Sequence, residues 1–228
     1  MAESRAARAA PAGHSDALSH ATVAHQFDDP AQQREAYTLG MWTFLATEVM
    51  FFGGLFAGYL VNRWRFPAAF AEASHHTKLA LGTLNTGVLL ASSLMMALAL
   101  HAAQEGRRKR LVAFLLLTVL LGVVFLGVKA TEYSLEYEER LVPGLNFARE
   151  GPEAQQVALF FVLYFFMTGL HAVHVSIGVG VIGTMAFLAW RGRFSAERHT
   201  AVELTGLYWH FVDVVWVFLF PLLYLLRR

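Results

Sequence analysis

Two carboxylic acids and three histidines sit where ordinary surface chemistry does not put them. Glu48 and Asp213 each lie near the middle of a long run that is otherwise almost free of charge. An ionised carboxylate at the centre of a bilayer costs roughly 2.5 kcal/mol or more, so each acid needs either a partner or a proton. Glu48 then has two readings: a proton-responsive or lipid-facing group, or a neutral acid hydrogen-bonded to a neighbouring helix. His171 and His174 stand three residues apart on one helical face, which Thr168 and Gly178 continue, while Glu203, Gly206, His210 and Asp213 recur at spacings of three and four on another. Trp209 and Trp216 form the adjacent stripe.

Histidines and carboxylates within one bundle can ligate a metal or haem, or they can hold helices together. A di-metal carboxylate site needs Glu-x-x-His on two helices and two further glutamates, and His210-x-x-Asp213 is an isolated fragment of that pattern. A bis-histidine haem needs less, one histidine on each of two facing helices. Hydrogen-bonded packing accounts for the same residues more simply. Asn85, Thr86, Ser92 and Ser93 on one further stretch are suited to the same work, each cross-helix bond being worth about 0.5–2 kcal/mol in a bilayer. Lys129 lies one turn before Glu132 and is placed to pair with it.

The elements that must position these groups are transmembrane. Hydrophobic residues make up 56% of the 228, aromatic residues 14% and charged residues 15%, where a soluble domain carries roughly a quarter charged. The charges gather in short stretches between runs long enough for a bilayer, which needs about 20 apolar residues. The spans expected are 38–61, 79–101, 111–128, 156–190 and 202–226, an all-α bundle of five transmembrane helices. The fourth exceeds thirty residues and must tilt or project from the hydrocarbon. Gly53, Gly54 and Gly58 in the first span and Gly178, Gly180 and Gly183 in the fourth offer small-residue faces for close helix contact.

Between the spans, Asn62 to Pro67 mixes aromatic and basic groups at headgroup level, and Thr131 to Gln155, rich in glutamate and marked by Pro143-Gly144 and Gly151-Pro152, reads as a solvated acidic loop. Residues 1–36 form a polar, flexible tail without an apolar signal-peptide core. Arg107, Arg108, Lys109, Arg110, Arg191, Arg193 and Arg198 fall on one side of the membrane, which makes that side cytoplasmic. The N-terminus is then cytoplasmic and the C-terminus periplasmic, with Arg63, Arg65, Arg227 and Arg228 on the less expected side. The basic run is a topology signal, not a nucleic-acid site, and net charge is only +1. With no cysteine there is no disulfide, thiolate metal site or covalently attached haem. A transporter using Glu48 and Asp213 as a proton relay would call for paired broken helices or inverted repeats, and neither is visible.

Five strings in order resemble subunit III of the haem-copper respiratory oxidases: Thr47-Glu48-Val49-Met50-Phe51-Phe52-Gly53-Gly54; Leu84-Asn85-Thr86-Gly87 running on to Ser93; Ala130-Thr131-Glu132-Tyr133; Thr168-Gly169-Leu170-His171-Ala172-Val173-His174; and Tyr208-Trp209-His210-Phe211-Val212-Asp213-Val214-Val215-Trp216. Glu105-Gly106-Arg107-Arg108-Lys109 is similar to the family's basic turn. The first two helices of the seven-helix form are missing, so the chain is similar to the short bacterial form of cytochrome c and quinol oxidases.

The resemblance implies an accessory subunit in a bacterial inner membrane with no catalytic residues and no cofactor of its own. Haem and copper would belong to partners, catalytic subunit I and subunit II, and a further small subunit or a respiratory supercomplex is compatible with it. It also implies bound phospholipid, support of proton uptake and protection of the catalytic subunit during turnover. The residues carried over are Glu48, His171, His174, Glu203, His210 and Asp213, beside Asn85 and Trp209 from the helix faces. A subunit serving a nitric oxide reductase would share the pattern, and a haem-binding membrane cytochrome is the alternative of another class.

Overall fold

In lipid every backbone N–H and C=O must be satisfied within the protein, so apolar runs of this length fold as helices. The computed structural model describes residues 27, 29–195 and 198–225. Six α-helices are present among them: α1 Pro30–Arg65, α2 Pro67–His76, α3 Leu79–Gln104, α4 Arg108–Glu138, α5 Ala154–Trp190 and α6 Thr200–Phe220, which runs on into a π-helical turn at Pro221–Leu225. Five of these stretches, all but α2, are long and apolar enough to cross a membrane. Among the described residues, those up to Phe44 form one compact unit and those from Leu45 onward a second. The polar tail before Phe27, the last span's final residue and the terminal arginine pair lie outside the described residues, while residues 30–36 of the expected tail begin α1.

Within the second unit α3 packs along α4, α4 along α5, α5 along α6 and α6 back against α3, closing a four-helix ring. Trp209 is the peg of its centre. Its indole is fully buried because α4 and α5 carry no side chain where it lies: a Cβ on Gly178 would sit 2.8 Å from the indole, and one on Gly122 would sit 3.0 Å from it and 2.7 Å from Val179. The indole N–H then donates to Ser92 on α3 at 3.0 Å. Gly178 therefore serves close contact as its face suggested, but Gly53, Gly54, Gly58, Gly180 and Gly183 have nothing within 4 Å of where a Cβ would be.

Two expectations are corrected. The third span does not stop at Val128. Helix α4 continues to Glu138, and Glu132 and Glu136, assigned to a solvated loop, are completely buried. At 1.5 Å per residue its 31 residues measure about 46 Å, well beyond the roughly 30 Å of hydrocarbon. The headgroup stretch is also followed by a helix, α2, which starts on Pro67 at its first turn and buries Ala69, Phe70 and Ala73, packing on α5.

The helices α3, α4 and α5 end on a residue in the left-handed region, Gly106, Arg140 and Gly192 respectively. At each, the next N–H reaches back five residues to a helix carbonyl, as Arg107 does to Ala102, Leu141 to Glu136 and Arg193 to Leu188.

Candidate functional site

The largest polar assembly lies where the end of α4 meets α5 and the π-helical turn. Lys129, 2% exposed, donates its three N–H bonds to Glu132 Oε2 at 3.0 Å, Tyr164 Oη at 2.8 Å and Tyr224 Oη at 2.7 Å. Both tyrosines pass a proton on: Tyr164 donates to Glu132 Oε1 at 3.1 Å and Tyr224 to the same oxygen at 2.7 Å. The ammonium also lies 4.6 Å from the Tyr164 ring centre and 5.1 Å from that of Tyr133. One cation, one anion and two hydroxyls thus form a closed neutral cage. Desolvating both charges costs several kcal/mol, which only such complete pairing offsets. The cage partners of Lys129 lie 3, 35 and 95 residues away, so only the nearest is visible as a sequence spacing.

Along the bundle four polar residues of α3 reach another helix. Asn85 donates to the Phe125 carbonyl at 3.4 Å, Thr86 accepts from the Trp216 indole at 3.1 Å, Ser92 accepts from Trp209, and Ser93 lies 2.6 Å from His210 Nδ1. His171 is buried between the rings of Phe125 and Trp216 at 5.5 and 5.1 Å, and its Nε2 donates to the Val212 carbonyl at 3.1 Å. That ring is therefore engaged within the packed core. Asp213 is 5% exposed, and neither of its oxygens has a hydrogen-bond partner among the described residues. The nearby Ser93 hydroxyl is engaged by His210.

Glu48 and His174 meet across 126 residues of sequence, with Oε2 3.2 Å from Nε2 and side chains 18% and 14% exposed. His174 Nδ1 is 2.9 Å from the Leu170 carbonyl and so must carry a hydrogen. Nε2 then either accepts from a protonated Glu48 or donates to its carboxylate, and one proton is shared in both cases. Phe52 closes the site with its ring 5.3 Å from His174 and 6.3 Å from Phe211.

The expected site residues therefore divide. Glu48 joins His174, His210 joins Ser93, and Trp209 and Asn85 tie α3 to its neighbours. Glu203, expected among the buried groups, lies exposed on the first turn of α6. Of the Lys129 cage, the Lys129–Glu132 pair was expected from its spacing, and the part that sequence reasoning missed is Tyr164 and Tyr224. Among the described residues, no three of the histidines, aspartates and glutamates come together as a metal-binding group.

Outside the spans, Arg149 fastens α2 to the loop after α4, donating to Glu72 at 2.6 Å and to His76 Nε2 at 2.6 Å, and Lys78 pairs with Glu139. Desolvation, then the Arg149 guanidinium, hold the His76 pKa below its usual value.

The family model for cytochrome c oxidase subunit III matches residues 14–227. A cytochrome c oxidase subunit 3 from Thermostichus vulcanus is 34% identical over 83% of this chain and 87% of its own. Probable quinol oxidase subunits 3 from Staphylococcus haemolyticus and Staphylococcus aureus are each 29% identical over 92% of this chain and 97% of theirs.

Proposed function

The chain belongs to the cytochrome c oxidase subunit III family, and from that premise we propose how it serves as an accessory subunit of a haem-copper terminal oxidase. It does no redox chemistry itself. It binds catalytic subunit I in a complex with subunit II, where haem and copper reside, and it keeps that core active through turnover. The electron donor, a cytochrome c or a quinol, is set on those partners.

The observation that carries this reading is how the polar groups are used. Lys129, Glu132, Tyr164 and Tyr224 bind one another, Trp209 binds Ser92, and Asn85 binds the Phe125 carbonyl, so these groups are engaged within the bundle. Such a bundle is a rigid wedge with an apolar surface: Leu94, Leu116, Leu120, Phe166, Val173 and Ile177 are more than half exposed, and such a surface suits acyl chains and partner helices. The Glu48–His174 pair, partly open to that surface, is placed to meet a phospholipid or the catalytic subunit and to support proton uptake. The basic residues at the α3–α4 and α5–α6 turns orient the N-terminus to the cytoplasm of a bacterial inner membrane and the C-terminus to the periplasm.

The test is depletion and restoration. An oxidase core stripped of this chain is expected to keep its haem spectrum and initial rate but to lose activity faster during turnover, and adding the chain back should restore its lifetime. An unchanged lifetime, or loss of haem with the chain, would overturn the proposal.

A further inference from the structure

The cage around Lys129 leaves one acidic group over. Glu136 lies one turn beyond Glu132 on α4, is 0% exposed, and neither of its carboxyl oxygens has a hydrogen-bond partner among the described residues. The charged and titratable groups around it are already committed. The three N–H bonds of Lys129 go to Glu132, Tyr164 and Tyr224, and the hydroxyls of both tyrosines are directed at Glu132. Tyr164 is close to Glu136, yet its proton goes to Glu132. Of the next two acids along, Glu138 is exposed and Glu139 pairs with Lys78 at the surface. Tyr133 binds Thr168 at 2.6 Å. Lys129 and Glu132 neutralise each other, so an ionised Glu136 would be a buried charge with no counter-ion of its own.

The surface is one turn away. Tyr137, Glu138, Glu139 and Arg140 are all exposed, and Tyr137, Glu138, Arg140 and Asn146 line an open cavity of about 420 Å³. Counting from the basic turn before α4, about 20 residues of hydrocarbon end near Ala130, which puts Glu136 at the opposite membrane boundary, within a turn of solvent.

We infer that Glu136 is a proton-holding site: its carboxyl carries a proton that exchanges with solvent, and the Lys129–Glu132–Tyr164–Tyr224 cage is the fixed counter-charge that makes it the surplus acid. Release is the simple dissociation of Glu136 COOH to a carboxylate, with the proton passing to water at the adjoining surface. It leaves two carboxylates around one ammonium, so Lys129 must then be shared between Glu132 and Glu136. Uptake restores the closed cage. The site depends only on the geometry of this chain and stands apart from its role beside an oxidase core, so its failure would leave that role untouched.

Infrared difference spectroscopy on the full chain in its native complex tests it, comparing wild type with E136Q, an isosteric change that removes the acid and leaves the cage. The wild-type-minus-variant spectrum is expected to contain a carbonyl band of a protonated carboxylic acid that shifts on transfer to D₂O. A difference made only of carboxylate bands, or an acid band insensitive to D₂O, would overturn the inference. E132Q sharpens the test, because Glu136 should then take over Lys129 and ionise: the same acid band is expected to vanish although Glu136 is still present. Its persistence would contradict the surplus-acid reading. Should E132Q fail to accumulate, the E136Q comparison decides alone.

Discussion

The Lys129 cage and the Glu48–His174 pair are both acid–base contacts between helices, yet they are built on opposite plans. In the cage every proton of Lys129 has an acceptor and all four groups are almost or wholly inaccessible. The Glu48–His174 pair rests on one contact of 3.2 Å, with both side chains partly exposed. The surrounding helices differ in the same sense: half of the most apolar stretch of α6 is buried against 17% of that of α1. The closed cluster satisfies its own polar groups within the bundle, whereas the half-open pair leaves part of both side chains at the surface.

The sharpest way to break that comparison is K129M. It strands Glu132 without its cation, and removing one partner of a buried pair costs about 3–5 kcal/mol. The variant should unfold at clearly lower temperature in detergent or fail to accumulate, and near-wild-type thermal stability would mean that the cage does not hold the bundle together. Next in size is G178A. Its methyl would meet the Trp209 ring at 2.8 Å, and overpacking of this kind costs about 1–3 kcal/mol, read as a lowered unfolding midpoint in the same assay.

The open pair should behave differently. E48Q keeps shape and a hydrogen bond to His174, so assembly with partner subunits should survive with a stability change below about 1 kcal/mol, measured by the yield of co-purified complex. Complete loss of assembly would make Glu48 as structural as Lys129.

The smallest effect concerns His76. Its pKa is held down in the folded state by desolvation and by Arg149, so the unfolded chain takes up a proton at higher pH than the folded one does. In that window the unfolded state binds more protons, and stability rises with pH. The contribution should be complete above about pH 6.5, the ordinary histidine value, and fade as pH falls below it. H76Q should flatten that part of the pH–stability curve, whereas an unchanged slope would exclude His76 as its source.

The sequence displayed these features unequally, for physical reasons. Long uncharged runs announce spans because lipid forbids anything but helix there, and five were legible. The end of α4 was not, because Glu132 and Glu136 look like surface residues until Tyr164 and Tyr224 arrive from 32 and 92 residues away from Glu132. Helix α2 had a signal, Pro67 followed by an alanine-rich stretch, that the aromatic and basic residues before it obscured. The acidic and histidine faces of α5 and α6 were legible as spacings, but the partner of His174 was not, since Glu48 stands on another helix. Small-residue faces were the weakest guide: Gly178 admits the indole of Trp209, and the similar-looking Gly180 and Gly183 meet nothing.

The most direct test of the accessory-subunit account is a gentle detergent pull-down of the tagged full-length chain from its own membrane, with mass spectrometry of the partners and a visible spectrum of the eluate. A haem-copper catalytic subunit together with a copper-bearing or quinol-type subunit II, and haem bands that follow those partners, is the expected result. Haem bands that stay with the chain when no partner is present would contradict the account.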